Sequence, residues 1–159
     1  MINLLDFLKN TNIAKKFEVD DLLFVELICM VEDDAAATDS WWHDHFFSYI
    51  VAGEMELKTI RAEYILKPGD CVFAKKGSIV SVRHITPDDF CQLRVFVPDD
   101  FIRTVFQKYR LSTQNSDHDA TDALIPLPPN EALEIYFQSL LSYFRQPLPP
   151  QEPLLRLKF

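Results

Sequence analysis

Positive charge is scarce in this 159-residue chain: Lys and Arg total 16 against 24 Asp and Glu, a net charge of −8. Basic side chains supply most of the grip on a phosphate backbone, so this balance argues against nucleic-acid binding by the segment itself. Long apolar runs are absent. None approaches the roughly 18–20 residues a membrane-spanning helix needs. The opening Met1-Ile-Asn-Leu-Leu-Asp-Phe-Leu-Lys9 lacks the basic start and small-residue cleavage site of a secretory signal. These absences predict a soluble, cytoplasmic domain with no membrane partner. Cysteine is limited to Cys29, Cys71 and Cys91, an odd number with no CxxC pair, which excludes a disulfide framework or a zinc knuckle. Each lies in an apolar, strand-like context and reads as a buried, reduced thiol.

What is present is ordinary globular material, with 48% apolar and 25% charged residues and enough chain for one domain with a real core. The three glycines, Gly53, Gly69 and Gly77, sit at the ends of apolar runs, whereas seven of the ten prolines follow residue 125. The first part therefore reads as strands joined by tight turns and the last third as helices between stiff proline segments. Strands are predicted at Leu22–Val31, Phe46–Ala52, Met55–Ile60, Tyr64–Leu66, Cys71–Ala74, Ile79–His84 and Phe90–Val97, with another near Phe17–Val19. With no helices between them they cannot form βαβ units, so an antiparallel sandwich or small barrel is expected. Residues 33–40 read as an exposed loop.

A helix is predicted from Asp99 or Asp100 to about Arg110, its aspartates at the positive end of the helix dipole and Lys108 and Arg110 at the negative end. Residues 112–129 read as a polar loop. A second helix follows Pro128-Pro129, with Asn130 as N-cap, and ends before Pro147. Its apolar stripe, Leu133, Tyr136, Phe137, Leu140, Leu141 and Phe144, is wide, aromatic and set off by prolines. We read it as a homodimer contact, with packing on the chain's own domain as the alternative.

Familiar catalytic arrangements are missing: there is no Gly-x-Ser-x-Gly, no phosphate-cradling glycine loop and no His-Glu-x-x-His. Asp88-Asp89 and Asp99-Asp100 read as turn and helix-start carboxylates, and Lys75-Lys76 as a solvated turn. The run Trp41-Trp42-His43-Asp44-His45, followed by Gly53-Glu54 and Leu66-Lys-Pro-Gly-Asp70, resembles the cupin pattern, a small barrel that can hold a metal on histidines and a glutamate. In the second half of that pattern Gly69 and Gly77 match, but the metal-ligating histidine position is Val80, which has no electron pair to donate. In the first half, anchoring on Gly53 puts Phe46 at the glutamate position and turns Phe46, Ser48 and Ile50 inward. Anchoring on His43 and His45 puts Tyr49 or Ile50 there. The two registers have opposite strand parity, so they present opposite faces. Two histidines alone make a poor site, and no metal or other cofactor is expected.

Leu22-Leu-Phe-Val-Glu26, Tyr49–Glu54, Leu66–Asp70, Val72-Phe-Ala-Lys-Lys-Gly77 and Val97-Pro-Asp-Asp-Phe-Ile102 occur in the order that resembles the N-terminal regulatory domain of AraC-type transcription regulators. The resemblance implies a cupin-like antiparallel β-barrel over residues 1–97, two helices for packing and dimerisation over 98–146, and a linker over 147–159 leading to an absent helix-turn-helix domain through which alone DNA is bound. It implies a regulator, not an enzyme, that dimerises and senses an effector or partner protein. The interior positions expected to meet a ligand are Phe46, Ser48, Ile50, Val80 and Val82. Either side chains fill the barrel and a protein is the signal, or a cavity accepts a mainly apolar small molecule. On strand 90–97 either alternating set, Phe90/Gln92/Arg94/Phe96 or Cys91/Leu93/Val95/Val97, can line the interior. Arg94 reads as a surface or ion-paired arginine ahead of a contact for an anionic ligand. The rival reading is a stand-alone metal-dependent cupin enzyme.

Overall fold

The computed structural model of the chain describes residues 2–3, 15–28, 38–86, 89–108 and 122–145. The expected linker over 147–159, and the position of Cys29, lie outside them. Eleven strands are described: β1 (Ile2–Asn3), β2 (Lys15–Val19), β3 (Leu22–Ile28), β4 (Thr38–Trp42), β5 (His45–Ala52), β6 (Met55–Lys58), β7 (Glu63–Leu66), β8 (Cys71–Ala74), β9 (Ser78–His84), β10 (Cys91–Val97) and β11 (Leu124–Pro126). The helices are α1 (Asp99–Lys108) and α2 (Glu131–Phe144).

The protein is mainly β with two C-terminal helices, as the strand and proline spacing predicts. Its strands form two sheets, ordered β1-β4-β9-β6-β7 and β11-β8-β5-β10-β3-β2. The two sheets face each other across a shared core in a cupin-like arrangement, and the described strands do not close into the single barrel that the sequence suggests. Every pairing is antiparallel except β1 with β4, where Ile2 and Asn3 run parallel to Ser40 and Trp41. Two strands fall where the sequence reads as loop. β4 is largely polar (Thr38, Asp39, Ser40) and owes its extended form to pairing with β9. β11 is an edge strand on β8 ending in Pro126, a residue that can sit only where no further strand needs its missing N–H.

Alternation along the strands divides the core in two. The side facing between the sheets holds Leu23, Val25, Trp42, Phe46, Ile50, Met55, Leu57, Val72, Val80, Phe90 and Phe96. The opposite face of the six-stranded sheet carries Phe24, Tyr49, Leu93, Val95 and Val97, and α2 covers it with Phe137, Leu140 and Phe144. Asn130 caps α2, its Oδ1 accepting from the backbone N–H of Ala132 at 2.8 Å. At the other end Lys15 Nζ donates to the carbonyl of Phe144 at 3.1 Å, a cation on the helix's negative end. Among the described residues no helix is long and apolar enough to cross a membrane.

Candidate ligand-binding site

Strands β5 and β10 build the interior. They pair antiparallel with Phe46 opposite Phe96, Ser48 opposite Arg94 and Ile50 opposite Gln92. Period-two alternation then points all six side chains between the sheets. Phe46, Ser48, Ile50 and Val80 are each exposed by 1% or less, and Val82 packs against the same cluster half-buried. On β10 the inner set is Gln92, Arg94 and Phe96, and Leu93, Val95 and Val97 face the helices.

That parity corrects the surface or ion-paired reading of Arg94. Its side chain lies inside, 4% exposed. Ser48 Oγ donates to Gln92 Oε1 at 2.8 Å, and Arg94 Nε donates to the same oxygen at 3.2 Å. The guanidinium carbon lies 4.6 Å from the centroid of the Phe46 ring, a cation–π contact. Burial pulls the Arg94 pKa down to about 9, which leaves it charged at neutral pH. Trp42 leans edge-on against Phe46, centroids 4.9 Å apart, and its indole N–H is buried without a hydrogen-bond partner. Sequence reasoning left the parity of β10 open because one set, Cys91, Leu93, Val95 and Val97, is apolar and the other joins Gln92 and Arg94 to two phenylalanines, so either can be turned inward. The polar pair Gln92 and Arg94, two residues apart, was the signal available.

The residues do not fit a cupin metal. Val80 stands, fully buried, at the third-histidine position, and among the described residues no three His, Cys, Asp or Glu side chains converge. His45 points out of the barrel: its Nε2 lies 3.0 Å from Asp99 Oδ1, its Nδ1 accepts from the Lys76 N–H at 3.2 Å, and its ring stacks on Phe73. Lys76 also pairs with Asp99, so the Lys-Lys turn ties the barrel to the start of α1. The Lys76 ammonium and then His45 hold the Asp99 carboxyl below its ordinary range. His43 packs against Trp41, and His84 against Phe90. Burial raises the thiols of Cys71 to about 12 and Cys91 to about 11, which keeps both protonated.

Outside the barrel, the stripe of α2 is spent largely on the chain's own sheet. Phe137, Leu140 and Phe144 are buried, with the Phe137 and Tyr49 rings parallel at 4.8 Å. Leu133, Tyr136 and Leu141 are half-buried on the same cluster. A second copy can therefore reach only their exposed edges and the opposite face, where Ile135 is 61% exposed. Beside the helices runs an apolar groove of about 700 Å³, lined by Val19, Phe47, Val95, Phe101, Leu133 and Phe137, and by Asp20, Asp21 and Asp100.

Residues 45–159 match the family described as the ExsA N-terminal regulatory domain. No curated protein matches the chain. Among solved structures, a single-site variant of apo ToxT from Vibrio cholerae is 14% identical over 89% of this chain and 54% of its own, with a TM-score of 0.64. The AraC-like transcriptional activator CuxR is 15% identical over 91% of this chain and 50% of its own, with a TM-score of 0.59. A putative ethanolamine utilization protein from Salmonella typhimurium is 20% identical over 54% of this chain and 68% of its own, with a TM-score of 0.42. The chain spans about half the length of the ToxT and CuxR chains.

Proposed function

The chain belongs to the family of ExsA N-terminal regulatory domains, and from that premise we propose that it works by binding and not by catalysis, as the sensing and dimerising part of a cytoplasmic transcription regulator. DNA contact belongs to a separate domain reached through residues 147–159. The observation that carries this reading is the placement of α2. Phe137, Leu140 and Phe144 sit on the back of β3, β5 and β10, whose front faces line the barrel interior. An occupant of the interior is thus one strand thickness from the helix. A ligand or partner protein that favours one packing of helix on sheet shifts the regulator by its differential affinity for that packing.

Dimerisation uses the outward face of α2. Glu131 and Glu134 lie in its first turn and Arg145 at its C-cap. An antiparallel isologous pair brings each acidic start opposite the other copy's Arg145, with Ile135 between them as the apolar contact. Two DNA-binding domains tethered to such a dimer engage neighbouring sites at raised effective concentration. In sedimentation equilibrium the chain is expected to be a dimer and Ile135→Asp a monomer with an unchanged far-UV spectrum. A wild-type chain that stays monomeric at high micromolar concentration refutes the dimer.

A further inference from the structure

The groove of about 700 Å³ lies on the back of the six-stranded sheet. Phe47 and Val95 give its floor, Phe101 and Thr104 of α1 one wall, and Leu133 and Tyr136 of α2 the other. Phe101 is 42% exposed there. Two smaller recesses adjoin the groove. One, of about 330 Å³, shares Phe47, Val97 and Phe101 with it and continues to Phe73, Ile125 and Leu127, apolar throughout. The other, of about 230 Å³, shares Asp20, Asp21 and Val97 with it and adds Glu18 and Asp44. The shared residues fix the order as apolar recess, apolar groove, acidic recess. Turn geometry alone does not call for the acids. Asp20 and Asp21 form the two-residue turn between β2 and β3, with Asp20 at φ +53°, where asparagine or glycine serves equally well. Asp100 adds a further carboxylate to the groove, ion-paired with Arg103 at 3.2 Å.

We propose that this row of recesses docks an amphipathic helix of a partner protein. Two apolar side chains on one face of that helix seat in the apolar recess and the groove, and a lysine or arginine beyond them reaches Asp20, Asp21, Glu18 and Asp44. Charge decides the kind of occupant. A second copy of this chain, itself at −8, sets carboxylate against carboxylate in an isologous contact. A neutral apolar ligand leaves the acidic end without a counterpart. A helix suits the shape because both walls are helices: laid between α1 and α2, it extends the helical layer on the same sheet. Its i, i+3 and i+4 side chains then present their apolar anchors together. The proposal rests on the reading of the domain as a sensor of a partner protein and names the chemistry of that partner. It does not involve Ile135, so docking and dimerisation are measured separately.

The probe is a fluorescein-labelled peptide of leucine and lysine, about 18 residues long, with its leucines along one helical face. Fluorescence anisotropy follows its titration with the 159-residue chain. The matched peptides are a scrambled one of the same composition and a patterned one with glutamate in place of lysine. The patterned leucine–lysine peptide is expected to bind at micromolar concentration, and the other two at least about tenfold more weakly. Asp20→Asn combined with Asp21→Asn should weaken binding about three- to tenfold, asparagine being at home in the left-handed turn. Phe101→Ser should weaken it by at least about tenfold. Removing two acids from the other sheet, Asp39→Asn on β4 with Glu63→Gln on β7, should leave binding unchanged, which separates the groove from net charge. If a variant does not fold, the three peptides on the wild-type chain still decide. No binding of the patterned leucine–lysine peptide, equal binding of the scrambled or glutamate peptide, an equal loss in the Asp39/Glu63 variant, or binding retained in Phe101→Ser overturns the proposal. A dimer that persists in sedimentation alongside any of those results leaves the dimerising role standing.

Discussion

Replacing Phe137 by alanine tests how α2 is held. The side chain is 2% exposed and stacks parallel to Tyr49 at 4.8 Å, in a cluster that includes Phe24, Leu93 and Val95. Losing the burial of a phenyl group costs about 1.5–3 kcal/mol. The cavity left behind and the lost ring pairing raise the total to about 3–5 kcal/mol, a large share of the roughly 5–15 kcal/mol that a domain possesses. Ile135, two residues away on the same helix, is 61% exposed. Its replacement by alanine is expected to change stability by less than about 0.5 kcal/mol in dilute solution, where a dimer contact contributes little. Urea unfolding followed by far-UV circular dichroism measures both, and with a typical slope Phe137→Ala should lower the midpoint by about 1.5–2.5 M. A loss below about 1 kcal/mol for Phe137→Ala, or an equal loss for Ile135→Ala, refutes the packing of this stripe on the chain's own sheet. The same reasoning says that aspartate at Phe137 or Leu140 unfolds the domain and does not merely separate a dimer, which is why Ile135→Asp is the probe of association.

Gly53 has φ +77°, and an added Cβ there would lie 2.7 Å from Thr86 Oγ1 and 2.9 Å from the backbone Cα of Phe90. The backbone cannot move aside, and the Thr86 hydroxyl also accepts from the Glu54 N–H. Gly53→Ala should therefore cost about 3 kcal/mol in the same urea assay, against about 1–2 kcal/mol for Gly69→Ala, where the left-handed backbone (φ +93°) meets open space. For Asp99, whose folded pKa is depressed by Lys76 and His45, the stabilisation is fully present above the ordinary aspartate pKa of about 3.9. It is lost as pH falls from there through the lower folded value. Asp99→Asn should remove part of the acid slope of stability below pH about 4. Because the group is exposed, the effect should shrink in high salt, and an unaltered slope in the variant contradicts the role of this ion pair.

Much of the fold was legible along the chain. The limits of β8, the start of α2 behind Pro129 and its Asn130 cap follow from local chemistry: turn glycines, proline stops and a capping side chain act on their immediate neighbours. β4 and β11 were not legible, because neither carries an alternating apolar pattern of its own. Their extended form comes from β9 and β8, partners distant in the sequence. The loss of a metal ligand at Val80 was readable from residue type alone, since no packing can make a valine donate an electron pair.

Two matters were settled only by tertiary structure. The stripe of α2 was visible as a pattern, but a helix's apolar face does not say which surface covers it, and the exposed back of β3, β5 and β10 was the nearer one. The parity of β10 was equally undetermined, because both faces of the strand are buried and the polar pair Gln92 and Arg94 marks one face without saying whether it points between the sheets or toward the helices. Pairing with β5 placed Arg94 opposite Ser48 and turned it inward. Composition and local pattern thus determined the class of the molecule and most of its elements. The pairing of distant strands decided which side of each was inside, and with it the inward placement of Arg94.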